Sequence, residues 1–122
     1  TIPQLRTTRR LVGEYTQDID EMHKRFDSSI GMIGDWRKRG PVYELPFETL
    51  YSRKVKNLIA AGRCISVTGE MAEVTRVIPT CAVTGQAAGT AAAMTDDFSS
   101  LDVAALQAKL TADGVVLHES NL

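Results

Sequence analysis

Two cysteines, two histidines, one tryptophan, three tyrosines and three phenylalanines are all that a 122-residue chain spends on its most chemically distinctive side chains. Cys64 and Cys81 show neither C-x-x-C nor metal-ligand spacing. That excludes a disulfide framework and a zinc site of familiar pattern, and it favours two free thiols in a reducing, cytoplasmic compartment over a single disulfide. His23 lies in a polar stretch and His118 near the chain end; both read as ordinary surface residues, so no catalytic base stands out. Charge of one sign is also lacking. A net charge of −1 argues against a nucleic-acid or anionic-membrane partner, which needs a basic surface. The one short basic run, Trp36 to Gly40, reads as a solvated loop. No long hydrophobic run exists either: the nearest, between Arg76 and Asp96, holds Pro79, several threonines and Gln86, and its hydropathy is too low for a membrane span. No stretch of these residues reads as a secretory signal. The chain begins at Thr1 with residues that look like the middle of a protein, which suggests a piece of a longer one.

What is present is enough for a core, at 43% hydrophobic and 24% charged. The run from Gln4 to Tyr15 reads as a strand, with Arg9 and Arg10 available to a substrate carboxylate. Asp18 and Glu21 have capping-box spacing and predict a short helix to about Arg25, with Ile19, Met22 and Phe26 on one face. Residues 28–45 read as two extended runs around a polar turn punctuated by Gly34-Asp35 and Gly40-Pro41, with Trp36 anchoring the hairpin. Pro46 opens a single helical turn. Leu58-Ile59-Ala60-Ala61 is a short apolar run ending in glycine and predicts a strand buried on both faces, as in a parallel sheet. A helix from about Pro79 to Met94 follows. The last predicted element is an amphipathic helix capped by Ser100 or Asp102, striped by Leu101, Ala105, Leu106 and Leu110, and ended by Gly114 at C′. A short extended piece over Val115–Leu117 completes the chain.

The helix after Pro79 is unusual because it is built from Ala, Gly and Thr. Proline suits the first turn, where a missing N–H costs nothing. The N–H groups of Thr80, Cys81 and Ala82 are expected to be unpaired there and to attract anions or carbonyl oxygens. Ala82, Gly85, Ala88, Gly89 and Ala92 recur at three- and four-residue intervals, so something flat can lie against that face. Cys81 reads as a small buried filler. A strand ending at Gly62 followed by such a helix is the arrangement in which open α/β sheets hold ligands.

These residues, Asn57–Ser66 and Thr75–Met94, resemble the C-terminal flavin-binding segment of FAD-dependent oxidoreductases of the glutathione-reductase and fumarate-reductase kind. The upstream stretches Arg6–Tyr15 and Phe26–Ser52 resemble the β-rich second domain of one branch of that family. The resemblance implies an α+β fragment of an α/β flavoprotein: residues 1–52 in a β-rich substrate domain, 53–96 completing the FAD domain, and 97–122 a C-terminal helix and tail. It also implies that Ile78, Pro79, Thr80 and Cys81 lie near the pyrimidine edge of the isoalloxazine, where the helix dipole stabilises negative charge. Ala61-Gly62-Arg63 stands where the family has a Gly-acidic pair. Arginine only donates, so Arg63 is expected to reach a phosphate or to structure the turn. Arg76 is expected to contact substrate or flavin. The family's G-x-G-x-x-G has no counterpart, so FAD binding is expected to need a dinucleotide-binding segment beyond this chain, which alone is expected to be inactive and either to self-associate through its bare apolar surface or to rearrange it. A small-molecule substrate is implied for the complete enzyme. The competing reading is a non-catalytic α+β interaction domain whose small-residue helix packs against a partner.

Overall fold

The polar turn from Asp35 to Gly40 does bring two extended runs together. Strand β1 (Ser29–Gly34) pairs antiparallel with β2 (Val42–Pro46), with Met32 opposite Glu44 and Ile33 opposite Tyr43. Ile30, Ile33, Tyr43 and Leu45 are buried on this hairpin. The computed structural model describes residues 2–4, 6–7 and 9–122. Asp35 ties the turn: its carboxylate accepts from the Arg37 guanidinium, which holds the carboxyl down at about 2. Trp36 anchors more than the hairpin, since its indole N–H donates to the Glu73 carbonyl at 2.8 Å.

Pro46 ends β2 and a 3-10 turn follows over Phe47–Thr49, as its proline predicts. A second hairpin joins β3 (Tyr51–Ser52) to β4 (Val55–Ile59). Here the sequence expectation fails. The strand is antiparallel, not parallel, and it is not buried on both faces: Val55 is 49% and Leu58 51% exposed. Lys56 and Asn57 lie inside β4 and keep it solvated, and Ile59 is its residue packed against the core. The predicted strand over residues 4–15 is not formed in its described part; residues 5 and 8 lie outside the described residues. Its backbone is instead shared among several segments. Leu11 N–H donates to Cys64 O, Glu14 N–H to Tyr51 O, Tyr15 N–H to Glu48 O, and Gln17 forms one isolated parallel bridge with Val67.

The capping box at Asp18 and Glu21 is fully made, but it opens only a 3-10 turn over Ile19–Glu21. The helix does not reach Arg25 because His23 has φ of +60° and sends its N–H to Val42 O at 2.7 Å. Helix α1 (Gly69–Thr75) has no counterpart in the sequence reading. Its signal is Met71 with Val74 and Thr75 at i+3 and i+4, all buried.

Helix α2 (Ile78–Met94) and helix α3 (Val103–Ala112) follow. Asp102 caps α3 by accepting from Ala105 N–H, and Leu106 and Leu110 are its buried stripe. Gly114 N–H donates to Thr111 O and Val115 N–H to Leu110 O, a Schellman ending as Gly114 predicts. Residues 115–118 run on without strand pairing to any described residue. The result is an α+β fold, with two two-stranded antiparallel sheets and three α-helices among the described residues. α2 packs against β1, α3 and the turn Gly62–Cys64. One apolar cluster draws together Ile30, Tyr43, Phe47, Ile65, Met71, Ala87, Leu106 and Leu110. No helix among the described residues is long and apolar enough to cross a membrane.

His118 is no ordinary surface residue. Its Nδ1 lies 3.0 Å from Glu44 Oε2, and its side chain is 14% exposed. Glu44, itself buried, also accepts from Phe26 N–H at 2.8 Å and Glu119 N–H at 3.0 Å. His23, which is exposed as expected, pairs with Glu119. The chain end is thus strapped to the first hairpin. Burial pushes the Glu44 carboxyl up, but the Phe26, His118 and Glu119 donors outweigh it and leave it below its ordinary value. A carboxylate depressed in the folded state contributes stability above its unfolded value, lost as pH falls through the folded one. Urea unfolding of Glu44→Gln followed from neutral to acid pH is expected to show a loss of about 1–3 kcal/mol at neutral pH, shrinking on acidification. A pH-independent difference would deny the strap its ionic character.

Candidate functional site

The candidate site is built where the turn Gly62–Cys64 meets the start of α2. Ala61 enters the turn extended, and Gly62 takes φ of +72°, a conformation that favours glycine. A Cβ at Gly62 would sit 3.4 Å from Cys81 Sγ, so turn and helix touch. One hydroxyl locks them. Thr84 Oγ1 accepts from Gly62 N–H at 2.9 Å while it donates to Thr80 O at 2.8 Å. A threonine that bonds back to its own helix is thereby recruited to fix a neighbouring turn.

The helix start itself is open. Val77 is the N-cap, no side chain among the described residues caps the helix, and the first turn carries no acidic residue. The helix begins one residue earlier than the proline suggests, which changes the set of free donors. Cys81 N–H is not free: it donates to Val77 O at 3.1 Å. Ala82 comes after the four residues whose N–H groups lack an intrahelical partner. The available N–H groups are those of Val77, Ile78 and Thr80, Pro79 having none. Ile78 is 84% exposed and Pro79 is exposed beside it. Thr80 Oγ1 is buried and has no hydrogen-bond partner among the described residues.

Arg63 and Arg76 flank this start, and both line one polar cavity together with Gln4 and Arg6. Arg76 donates to Glu73 at 2.9 Å and its guanidinium lies over the Trp36 ring, 5.5 Å from the centroid. The structure therefore brings Ala61, Gly62, Arg63, Arg76, Ile78, Pro79, Thr80 and Cys81 into one neighbourhood. Arg10 is elsewhere engaged, donating to Thr68 O, and Arg9 is exposed. The sequence reading missed Arg6 and Thr84. The first has no local signal; the second is one of several helix threonines, and only the position of Gly62 singles it out.

The small-residue face divides differently from its expected pattern. Thr80, Thr84, Ala87, Ala88 and Ala91 are buried, whereas Ala82, Gly85, Gly89 and Ala92 face outward. No atom of the described residues lies within 4 Å of where a Cβ at Gly85 or Gly89 would be. Cys64 and Cys81 are free thiols, and no group of three metal-ligating residues occurs among the described residues.

Open backbone donors with no carboxylate in the helix's first turn fit an electron-rich edge. They do not fit a cation. A family model described as FAD dependent oxidoreductase matches residues 1–110. The chain belongs to that family. No curated protein and no solved structure matches it.

Proposed function

We propose that this chain supplies one wall of the flavin site of an FAD-dependent oxidoreductase, as the C-terminal portion of a longer, cytoplasmic enzyme acting on a small-molecule substrate. The observation that carries the reading is the uncapped, acid-free start of α2, held against the Gly62 turn by Thr84. FAD, when bound, supplies the electron acceptor for substrate oxidation. The chain's own residues do the rest. The N–H groups of Val77, Ile78 and Thr80 donate to the acceptor edge of the ring. A 17-residue helix adds roughly half a positive charge at that end, which favours electron density there and so the reduced cofactor. Ile78 and Pro79 shield the contact from water. Gly62 admits close backbone approach, and Arg63 and Arg76 offer charge beside it.

The test is the absorption spectrum of the complete gene product, before and after stripping and titration with FAD. A flavin spectrum that is lost and restored supports the reading. A colourless protein indifferent to FAD leaves α2 as a packing device. A second reading would then lead, that of an interaction domain. The outward face of Ala82, Gly85, Gly89 and Ala92, with exposed Leu58 and Val55 on β4, is what favours it, through a partner or a second copy.

A further inference from the structure

We propose that Arg6, Arg63 and Arg76 form a binding site for an oxyanion, a phosphate or carboxylate group carried by a ligand. The three guanidinium-bearing side chains and Gln4 line a cavity of about 620 Å3. They come from distant parts of the chain: the N-terminal segment, the Gly62–Cys64 turn and the end of α1. Like charges gathered in this way repel, and side chains this long are free to part unless something draws them together. Only one carboxylate among the described residues answers them, Glu73 on Arg76. Three positive charges against one negative leave an excess of two.

The donors are also free in the right number. Arg76 uses its Nε on Glu73, which leaves its two terminal NH2 groups unbonded among the described residues. That same bond and the Trp36 ring beneath it hold the guanidinium in place. Arg6 spends Nε and Nη2 on Gln4 Oε1, the Nε contact at 3.0 Å, and keeps Nη1. Arg63 has no hydrogen-bond or ion-pair partner among the described residues. Planar forks of this kind bind phosphate and carboxylate bidentately. A neutral ligand would leave the charge excess unanswered.

The site shares Arg63 and Arg76 with the proposed flavin wall, so the titration is made on both the stripped and the FAD-loaded protein: a response in both, or in neither while FAD still binds, keeps its outcome separate from that of the flavin reading. Trp36 is the one tryptophan and lies under Arg76, so its fluorescence reports on the site. The complete gene product is titrated with inorganic phosphate, with malonate and with chloride at constant ionic strength by calorimetry, the Trp36 contribution to fluorescence being taken from the difference against Trp36→Phe. A saturable response to phosphate or malonate, absent with chloride, is expected. Arg63→Gln and Arg6→Gln are expected to weaken it about tenfold each with unchanged circular dichroism, and Arg39→Gln to leave it alone. Saturation by phosphate alone assigns the site to a phosphorylated ligand; saturation by malonate alone assigns it to a carboxylate substrate. A response that follows ionic strength only, or that survives Arg63→Gln unchanged, overturns the proposal.

Discussion

Gly31→Ala is expected to destabilise the fold by about 3 kcal/mol, from one added methyl group. Gly31 sits in the β1 bulge with φ of +146°, where an L side chain is strained. Its missing Cβ would also lie 2.6 Å from Val83 Cγ1 on α2. Val83 is β-branched and helical, so its χ1 has little freedom to yield. Either the hairpin or α2 must move, and α2 carries the candidate site on its first turn. In a chain of this size the loss should appear as a fall of about 12 °C in melting temperature. Gly31→Ala/Val83→Ala should recover the steric part and leave the backbone strain, so the pair will be non-additive. A Gly31→Ala protein within about 0.5 kcal/mol of the parent in urea unfolding would mean that α2 does not lie against β1 as described.

Ile78→Asp is expected to move stability and cofactor binding in opposite directions. Ile78 is exposed at the first helical residue, so the substitution removes little packing. An acid there complements the dipole and should stabilise the fold by about 0.3–1 kcal/mol. The same carboxylate occupies the donors that the flavin edge needs and opposes negative charge at that edge. FAD affinity of the complete gene product should therefore fall at least about tenfold while the melting temperature holds or rises. Calorimetric melting and absorbance titration of the two proteins give both quantities. A more stable protein with unchanged FAD affinity would place the flavin elsewhere.

The parts of this fold that were legible in the sequence are those fixed by local chemistry. The first hairpin follows from two apolar runs around a basic turn punctuated by Gly34-Asp35 and Gly40-Pro41, α2 from proline at its start, and α3 from Asp102 and Gly114 at its ends. The parts that were not legible depend on partners far along the chain. Gln4–Tyr15 has strand composition, but its N–H groups find Cys64, Tyr51 and Glu48 rather than a neighbouring strand. Leu58–Ala61 has the composition of a buried strand, yet among the described residues β4 pairs with β3 alone and stays exposed. The helix begun at Asp18 stops because His23 turns left-handed toward Val42. His118 looked like a tail residue, and only the burial of Glu44 makes it structural. The candidate site divides in the same way. Pro79 announced the helix start, and the Gly62 turn was legible beside it. Which N–H groups stay free depended on the helix beginning at Ile78, and Arg6 joins the site only through the fold.

Amide hydrogen exchange of the complete gene product, with and without FAD, tests the placement of the flavin most directly. Exchange at Val77, Ile78 and Thr80 is expected to slow when FAD is bound, with the outward residues Gly85 and Gly89 unchanged. Flavin absorbance that reports binding while exchange at Val77, Ile78 and Thr80 stays as fast as in the stripped protein would contradict it.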